Sequence, residues 1–359
     1  MKLKNIFFLI FMLILTMAFM GAKDAFECKI PPGWGFRDAA FSDSGLKVVV
    51  IWQDVPREIA RYGNFSSRLL IFDKDDRLIN ELAFAKPKFP RLTRDDKIIL
   101  MESNQREIIE KITVFDSQGR QLFETGTKGR WPWPALMGKE IGLGYQEIGS
   151  PGEFVGTVSI IDGETGKEKI TVGPPSGRGF SGFLPIGEGG HFLIALGATV
   201  YLRTYLHPET VLWKIDNIGG NIRSINPVDE NYVGIQYRVV NIEARKFLAG
   251  VAIVEWRSGN IVFRQESHDT KAGLWNILHN GVDITLENDD LIFTAFGFKT
   301  GIRVAKSVQL SEKWDGTKLT KYKIDNWGEG DQLTSDSKHL FKRGKGFVRI
   351  EKIGFIEEQ

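Results

Sequence analysis

The stretch Ile160-Ile161-Asp162-Gly163-Glu164-Thr165-Gly166-Lys167-Glu168 decides the fold class of this chain. An apolar run ends in an aspartate, a turn containing glycine follows, and a second β-type run begins near Ile170. An aspartate caps such a turn through its own side chain, and a glycine supplies the positive φ that a short hairpin loop requires. The stretch therefore predicts a β-hairpin.

The same pattern recurs along the chain. The acidic residue that ends the first run of each copy occurs at Asp73, Asp116, Asp162, Asp216, Glu255 and, in a looser copy, Glu312. The spacing between successive copies averages about 48 residues. A period of this length is typical of repeat architectures.

A second group of turns alternates with these hairpins. Seven segments rich in Gly, Asp, Asn and Ser precede apolar runs, at residues 42–45, 93–96, 137–139, 187–190, 229–231, 287–290 and 334–337. Two hairpins in each repeat give four strands, which is the blade of a β-propeller. We predict an all-β chain that forms a single propeller of seven four-stranded blades, with six or eight blades as the alternatives.

The last repeat lacks its second hairpin, because the chain ends shortly after residues 347–353. Residues 25–30, at the other end of the chain, form a short β-type segment that has no repeat of its own. An N-terminal strand that completes the last blade would remove a free sheet edge. We therefore predict that residues 25–30 close the propeller.

Residues 160–168 resemble the outer hairpin of propeller repeats of the pyrroloquinoline-quinone-like and WD-repeat-like classes, and the other copies are similar but degraded. The resemblance covers nearly all of residues 23–359 as a repeat pattern. It implies the propeller fold and says almost nothing about activity, because propellers carry many functions. Quinone-dependent members have a vicinal cysteine pair, whereas this chain has only Cys28, so no cofactor is expected.

Residues 1–22 have the layout of a secretory signal peptide. Lys2 and Lys4 precede the apolar run 6–20, and small residues follow at Gly21 and Ala22. The run is shorter than the roughly 20 residues that span a bilayer comfortably, which favours cleavage. We expect a secreted or periplasmic protein whose propeller domain comprises residues 23–359. The alternative is an uncleaved N-terminal membrane anchor.

Composition restricts the possible partners. The chain has 47 Lys and Arg against 45 Asp and Glu, a formal net charge of +2, which does not suit a nucleic-acid-binding protein. A single cysteine excludes an intramolecular disulfide. We expect a monomer in which Cys28 is buried and inert near the first strand, with an intermolecular bridge as the alternative.

No catalytic motif stands out from the repeat pattern. The five histidines lack the spacing of a compact metal site, and Gly179-Phe180-Ser181-Gly182 does not match the G-x-S-x-G motif of hydrolases. We therefore expect no metal site and no catalytic residue.

Aromatic residues beside glycine or proline recur where one blade passes to the next, in six of the seven connections, and four of these connections place an arginine beside the aromatic residue. These connections are expected to lie on one face, around the mouth of the channel. The candidate ligand-binding residues are Arg37, Arg91, Arg130, Trp131, Trp133, Arg178 and Trp275. In the alternative interpretation, the aromatic side chains fill the grooves between adjacent blades.

The sequence thus favours an exported, non-catalytic propeller that binds a protein, a peptide or a glycan through its loop-rich face. Rigid aromatic rings beside guanidinium groups suit such ligands. The alternative is a carbohydrate-active hydrolase or lyase with its site at the channel mouth. Convergent carboxylates near Trp131, Trp133 and Trp275 would favour the enzyme.

Overall fold

A computed structural model describes most of the chain after the N-terminal segment. The residues described are 25–56, 65–86, 88–103, 109–127, 130–146, 155–173, 180–228, 230–241, 246–266, 282–287, 290–301, 304–314, 319–325, 332–333, 339–352 and 354–357. The predicted signal peptide, residues 1–22, lies outside these ranges.

The described residues form 29 strands and one short 3-10 turn, Glu188–Gly190. The chain begins with β1 (Ala25–Lys29). Sheet 1 then consists of β2 (Trp34–Phe41), β3 (Lys47–Gln53), β4 (Ser67–Phe72) and β5 (Leu78–Phe84). Sheet 2 consists of β6 (Lys88–Leu92), β7 (Ile98–Ser103), β8 (Ile109–Phe115) and β9 (Gln121–Gly126). Sheet 3 consists of β10 (Arg130–Pro134), β11 (Glu140–Gln146), β12 (Val155–Asp162) and β13 (Glu168–Val172).

The second half of the chain repeats this arrangement. Sheet 4 consists of β14 (Gly182–Pro185), β15 (His191–Leu196), β16 (Thr199–Thr204) and β17 (Val211–Ile215). Sheet 5 consists of β18 (Asn221–Pro227), β19 (Tyr232–Asn241), β20 (Lys246–Glu255) and β21 (Asn260–Glu266). Sheet 6 contains β22 (Val282–Glu287), β23 (Asp290–Gly301), β24 (Val304–Trp314) and β25 (Leu319–Asp325). Sheet 7 contains β26 (Gln332–Leu333), β27 (His339–Gly344) and β28 (Phe347–Lys352), and the last strand is β29 (Gly354–Glu357).

All seven sheets of the described residues are antiparallel, as the repeat pattern predicts. Successive strands pair along the chain from the innermost strand, which comes first in each sheet, to the outermost. Six sheets have four strands, and sheet 6 gains a fifth because β29 pairs with β25. The fold is an all-β propeller of four-stranded repeats, and β29 is an addition that the sequence did not indicate.

The repeat turns fall where the pattern placed them, with one exception. Each of the seven turns of the second group joins the first and second strands of one sheet. Gly119, Gly166 and Gly259, in the turns between third and fourth strands, have φ of 78°, 69° and 77°, which confirms the predicted positive values.

The assignment of Asp216 to an outer hairpin is wrong. This residue follows β17, the outermost strand of sheet 4, and leads into β18 of sheet 5. The outer hairpin of sheet 4 turns instead through residues 205–210, which contain no glycine. Glu312 lies inside β24, and the turn after it, 315–318, is outside the described residues.

The N-terminal strand completes the last sheet, as predicted. β1 pairs with β28 in antiparallel register, with Phe26 opposite Ile350 and Cys28 opposite Val348. Cys28 is only 1% exposed, and burial raises the pKa of its thiol to about 12. The thiol is therefore protonated at neutral pH, as expected for a buried, inert cysteine. That the seven sheets form one closed ring of seven blades stays a prediction.

Deleting residues 23–31 tests this closure. The deletion leaves the edge of β28 unpaired and removes Phe26 from its contacts, so the melting temperature should fall markedly or the protein should aggregate. A chain that begins at residue 25 is the control and should melt like one that begins at residue 23. Equal melting of the deletion variant and the control would contradict the closure.

Glycine substitutions test the repeat turns. A Cβ on Gly166 would lie 2.6 Å from the Phe123 ring, and its φ is 69°, so Gly166→Ala should lower the free energy of unfolding by about 1–3 kcal/mol. Gly33 also has a positive φ, of 79°, but open space around it, so Gly33→Ala should cost less. Gly173 has neither a positive φ nor an atom close to the position of an added Cβ, so Gly173→Ala serves as the control. Equal denaturation midpoints for all three variants would contradict this account.

Candidate functional site

The predicted binding residues that the structure describes belong to innermost strands rather than to loops. Arg37 lies in β2, Arg91 in β6, and Arg130, Trp131 and Trp133 in β10. Each strand begins at the end of its sheet where the chain arrives from the preceding outermost strand. We call this the loop end, and we call the opposite end, which carries the turns between first and second strands, the turn end.

Arg37 occupies a β-bulge near the loop end of sheet 1. Phe36 pairs with Ile51 and Asp38 with Val50, so Arg37 is the extra residue of β2. Its side chain is exposed. The guanidinium carbon lies 4.4 Å from the centroid of the Trp52 ring and 5.2 Å from that of Phe89. A bulge redirects a side chain out of the strand's alternation, and here it places a cation against two aromatic rings.

The two rings are themselves held in place. The Trp52 Nε1–H donates to the carbonyl oxygen of Lys88 over 3.0 Å, and its ring meets Phe89 edge-to-face at 5.2 Å between centroids. Phe65, which lies just before β4, also contacts Trp52, with ring centroids 5.0 Å apart. Sheets 1 and 2 therefore build one rigid support for the Arg37 guanidinium.

A buried ion pair fixes the strand that carries Phe89. The Lys88 ammonium group forms a very short hydrogen bond with Glu102, which also accepts from Lys86 over 2.9 Å. Burial raises the pKa of Glu102, but the hydrogen bonds and charges of Lys88, Lys86 and Lys111 outweigh it and lower the pKa to about 2. Glu102 is thus ionised at neutral pH and anchors β6 to β7.

A second cation lies over an aromatic ring at the same end of sheet 1. The Arg68 guanidinium carbon is 4.3 Å from the Trp34 centroid, and Arg68 also pairs with Glu81 over 2.7 Å. Sheet 1 thus presents two arginine–tryptophan stacks.

Arg91 lies on the innermost strand of sheet 2. Its side chain is exposed, yet desolvation by the surrounding protein lowers the pKa of its guanidinium, against the opposing charge of Asp38. Asp38 lies on β2, the innermost strand of sheet 1, as Arg91 does on that of sheet 2. Both properties suit a side chain that lines a channel between innermost strands. An arginine stays charged through such a shift.

Trp133 packs between sheets instead of facing solvent. It is half-buried against the apolar cluster that sheets 3 and 4 share, and its ring meets Phe183 edge-to-face at 6.0 Å. For Trp133, this geometry matches the alternative in which aromatic side chains fill the grooves between blades. Trp131 pairs through its backbone with Gly144, and Arg130 pairs with Tyr145.

Two of the candidate residues, Arg178 and Trp275, lie outside the described residues. Sequence reasoning also missed three contributors, Trp52, Arg68 and Asp38. Trp52 follows the apolar run 48–51, where it reads as one more core residue. Its role depends on contact with the next sheet, which no local pattern reveals.

The described residues carry neither a metal-binding cluster nor a membrane-spanning helix. Among the described residues, no group of three or more His, Cys, Asp or Glu side chains is placed to hold a metal ion. Nor does that part of the chain contain a helix that is long and apolar enough to cross a membrane.

Fold and repeat pattern together define the chain as a β-propeller repeat protein. No protein-family model matches the sequence, and no curated protein matches it. Similar solved structures include the Dos1 propeller, at 12% identity and a TM-score of 0.46, covering 88% of this chain and 77% of that one. U3-55K is similar at 9% identity and a TM-score of 0.49, covering 90% of this chain and 100% of that one. The assignment of the propeller fold therefore rests on the strand order and strand pairing of this chain.

Two alanine variants distinguish the structural role of Trp133 from that of the exposed Arg37. Trp133→Ala should lower the free energy of unfolding by about 3 kcal/mol or more, because it leaves a cavity between sheets 3 and 4. Arg37→Ala should lower it by about 1 kcal/mol or less, because exposed cation–π contacts are weak. Urea denaturation measures both. A Trp133→Ala variant that is as stable as Arg37→Ala would contradict the wedge assignment.

Proposed function

We propose that the protein is an exported, non-catalytic binding module that recognises an acidic segment of a protein or peptide through the loop end of sheets 1 and 2. The observation that carries the proposal is Arg37, whose exposed guanidinium is held against Trp52 and Phe89. Holding the cation in advance reduces the conformational entropy lost when a ligand binds.

The charges around Arg37 favour an anionic ligand. Lys86 and Lys111 belong to the same end of sheet 2, and Lys86 is exposed. Two carboxylates at this end are already paired, Glu81 with Arg68 and Glu102 with Lys88, Lys86 and Lys111. An arginine binds a carboxylate with two parallel hydrogen bonds, which adds both strength and geometric specificity.

The same stacks make a glycan a poorer ligand for this surface. Sugars bind to proteins partly by lying on exposed aromatic faces, and here one face of Trp52 is covered by Arg37 and one face of Trp34 by Arg68. The donors that remain accessible are guanidinium and ammonium groups. Acidic side chains of a protein segment satisfy them directly.

Export forms part of the proposal because residues 1–22 have the layout of a signal peptide. The protein would then meet its partner outside the cytoplasm, in the periplasm or beyond the cell. The buried, protonated Cys28 suits such an environment, because an inaccessible thiol resists oxidation.

Fluorescence anisotropy with a labelled octaglutamate peptide tests the recognition of acidic segments. The parent protein should bind it with an affinity that falls as salt rises, and Arg37→Gln should weaken binding about tenfold, because a charge-assisted hydrogen bond is lost. Arg37→Lys should also weaken binding, because lysine keeps the charge but lacks the planar fork.

Arg120→Gln is the matched control. Arg120 has an 81% exposed side chain in the turn between β8 and β9, at the turn end of sheet 2. This variant should bind octaglutamate like the parent. Equal losses for Arg37→Gln and Arg120→Gln, or no binding by the parent at millimolar peptide, would contradict the proposal.

A further inference from the structure

A cavity of about 630 Å³ opens at the turn end of the molecule, opposite the surface around Arg37. Its walls come from four consecutive sheets, 2 to 5. The lining residues are Arg94, Asp95, Met137, Gly138, Lys139, Glu140, Gly187, Glu230 and Arg257. This volume lies within the range of small-molecule sites, roughly 300–1,000 Å³.

The floor of the cavity is rigid backbone. The amides of Leu136 and Met137 in sheet 3 donate to the carbonyl oxygens of Pro185 and Ile186 in sheet 4, over 2.8 and 2.7 Å. Gly187 has a φ of 89°, and a Cβ there would lie 1.6 Å from the carbonyl oxygen of Met137. Only glycine permits this approach, so the floor exists before any ligand arrives.

Most of the charged groups in the wall are already paired. Asp95 forms a very short ion pair with Lys97, which lies behind it in the same turn. Lys139 pairs with Glu164 over 2.6 Å, and Glu140 pairs with Lys169 over 2.7 Å. These pairs leave little of their charge to a ligand.

Two lining side chains, Arg94 and Glu230, have no hydrogen-bond or ion-pair partner among the residues that the structure describes. Both are exposed. Arg94 belongs to the turn of sheet 2, and the neighbouring Asp96 does not line the cavity. Glu230 belongs to the turn of sheet 5. Within the described part of the chain, the cavity thus offers one cation and one carboxylate without partners, on walls that the turns of sheets 3 and 4 separate.

The wall that carries Glu230 is well anchored. Its carbonyl oxygen accepts from the Trp256 Nε1–H over 2.7 Å. Arg257 donates to the Asn231 side chain over 2.7 Å and lies over the Trp256 ring, with 4.4 Å between its guanidinium carbon and the centroid. The Glu230 carboxylate is therefore presented from a fixed turn.

We propose that this cavity is a second binding site, which takes a short peptide with free termini. Arg94 would bind the C-terminal carboxylate, and Glu230 would bind the N-terminal ammonium. A sphere of this volume has a diameter of roughly 10 Å, which is the length of about three extended residues. A single amino acid, whose two charges are adjacent, is too short to reach both walls.

Titration calorimetry with tri-alanine, N-acetyl-tri-alanine and tri-alanine amide tests the site. Tri-alanine should bind at millimolar or lower concentration, and blocking either terminus should weaken binding about tenfold. Arg94→Gln should weaken the binding of tri-alanine by a similar factor but should not further weaken the binding of tri-alanine amide, which lacks the C-terminal carboxylate. Glu230→Gln should weaken the binding of tri-alanine but should not further weaken that of N-acetyl-tri-alanine, which lacks the N-terminal ammonium.

Two control variants complete the test. Arg120→Gln and Glu209→Gln change exposed charges outside the cavity, so both should bind tri-alanine like the parent. If tri-alanine does not bind at about 10 mM, the proposal is overturned. Tighter binding of glutarate, a dicarboxylate, that is lost in Arg94→Gln but not in Glu230→Gln would also overturn it.

Discussion

Burial of both faces of a sheet, seen most clearly in sheet 1, is the constraint on which the rest of this structure depends. In β3 the consecutive residues Val48, Val49, Val50 and Ile51 are all completely buried, although neighbouring side chains of a strand point to opposite faces. Val49 and Ile51 join Phe341 of sheet 7 in one cluster, whereas Val48 and Val50 join Ile98 and Leu100 of sheet 2 in another. Such a sheet is stable only between two neighbours.

This constraint gives the N-terminal strand its importance. Phe26 of β1 lies 4.9 Å from Phe72 of sheet 1, centroid to centroid, while β1 itself pairs with β28 of sheet 7. One short strand thus covers a sheet edge and also fills the space between the first and last sheets. Stability of the first repeat therefore depends on residues that are more than 300 positions apart in the sequence.

The sequence predicted the turns well because a turn depends on a few residues that are adjacent in the sequence. It assigned the innermost strands to loops because their tolerance of proline depends on their position in the sheet. Proline and glycine near Arg91, Trp131 and Trp133 favoured loops. Yet four innermost strands contain proline, at Pro90, at Pro132 and Pro134, at Pro185 and at Pro227. An innermost strand is an edge strand with one unpaired side, and that is where a sheet tolerates proline. Asp216 was misassigned because an aspartate followed by glycines fits a connection between sheets as well as a hairpin.

The two proposed binding sites, at opposite ends of the molecule, are positioned by different means. At the turn end, tight backbone geometry at Gly138 and Gly187 shapes the cavity, so its walls depend little on the identity of the core residues. At the loop end, Arg37 is positioned by Trp52 of its own sheet and Phe89 of the next, so its geometry exists only while the two sheets stay packed. Changes at Trp52 should therefore alter stability and the proposed recognition together, whereas changes at Arg37 should alter the proposed recognition alone.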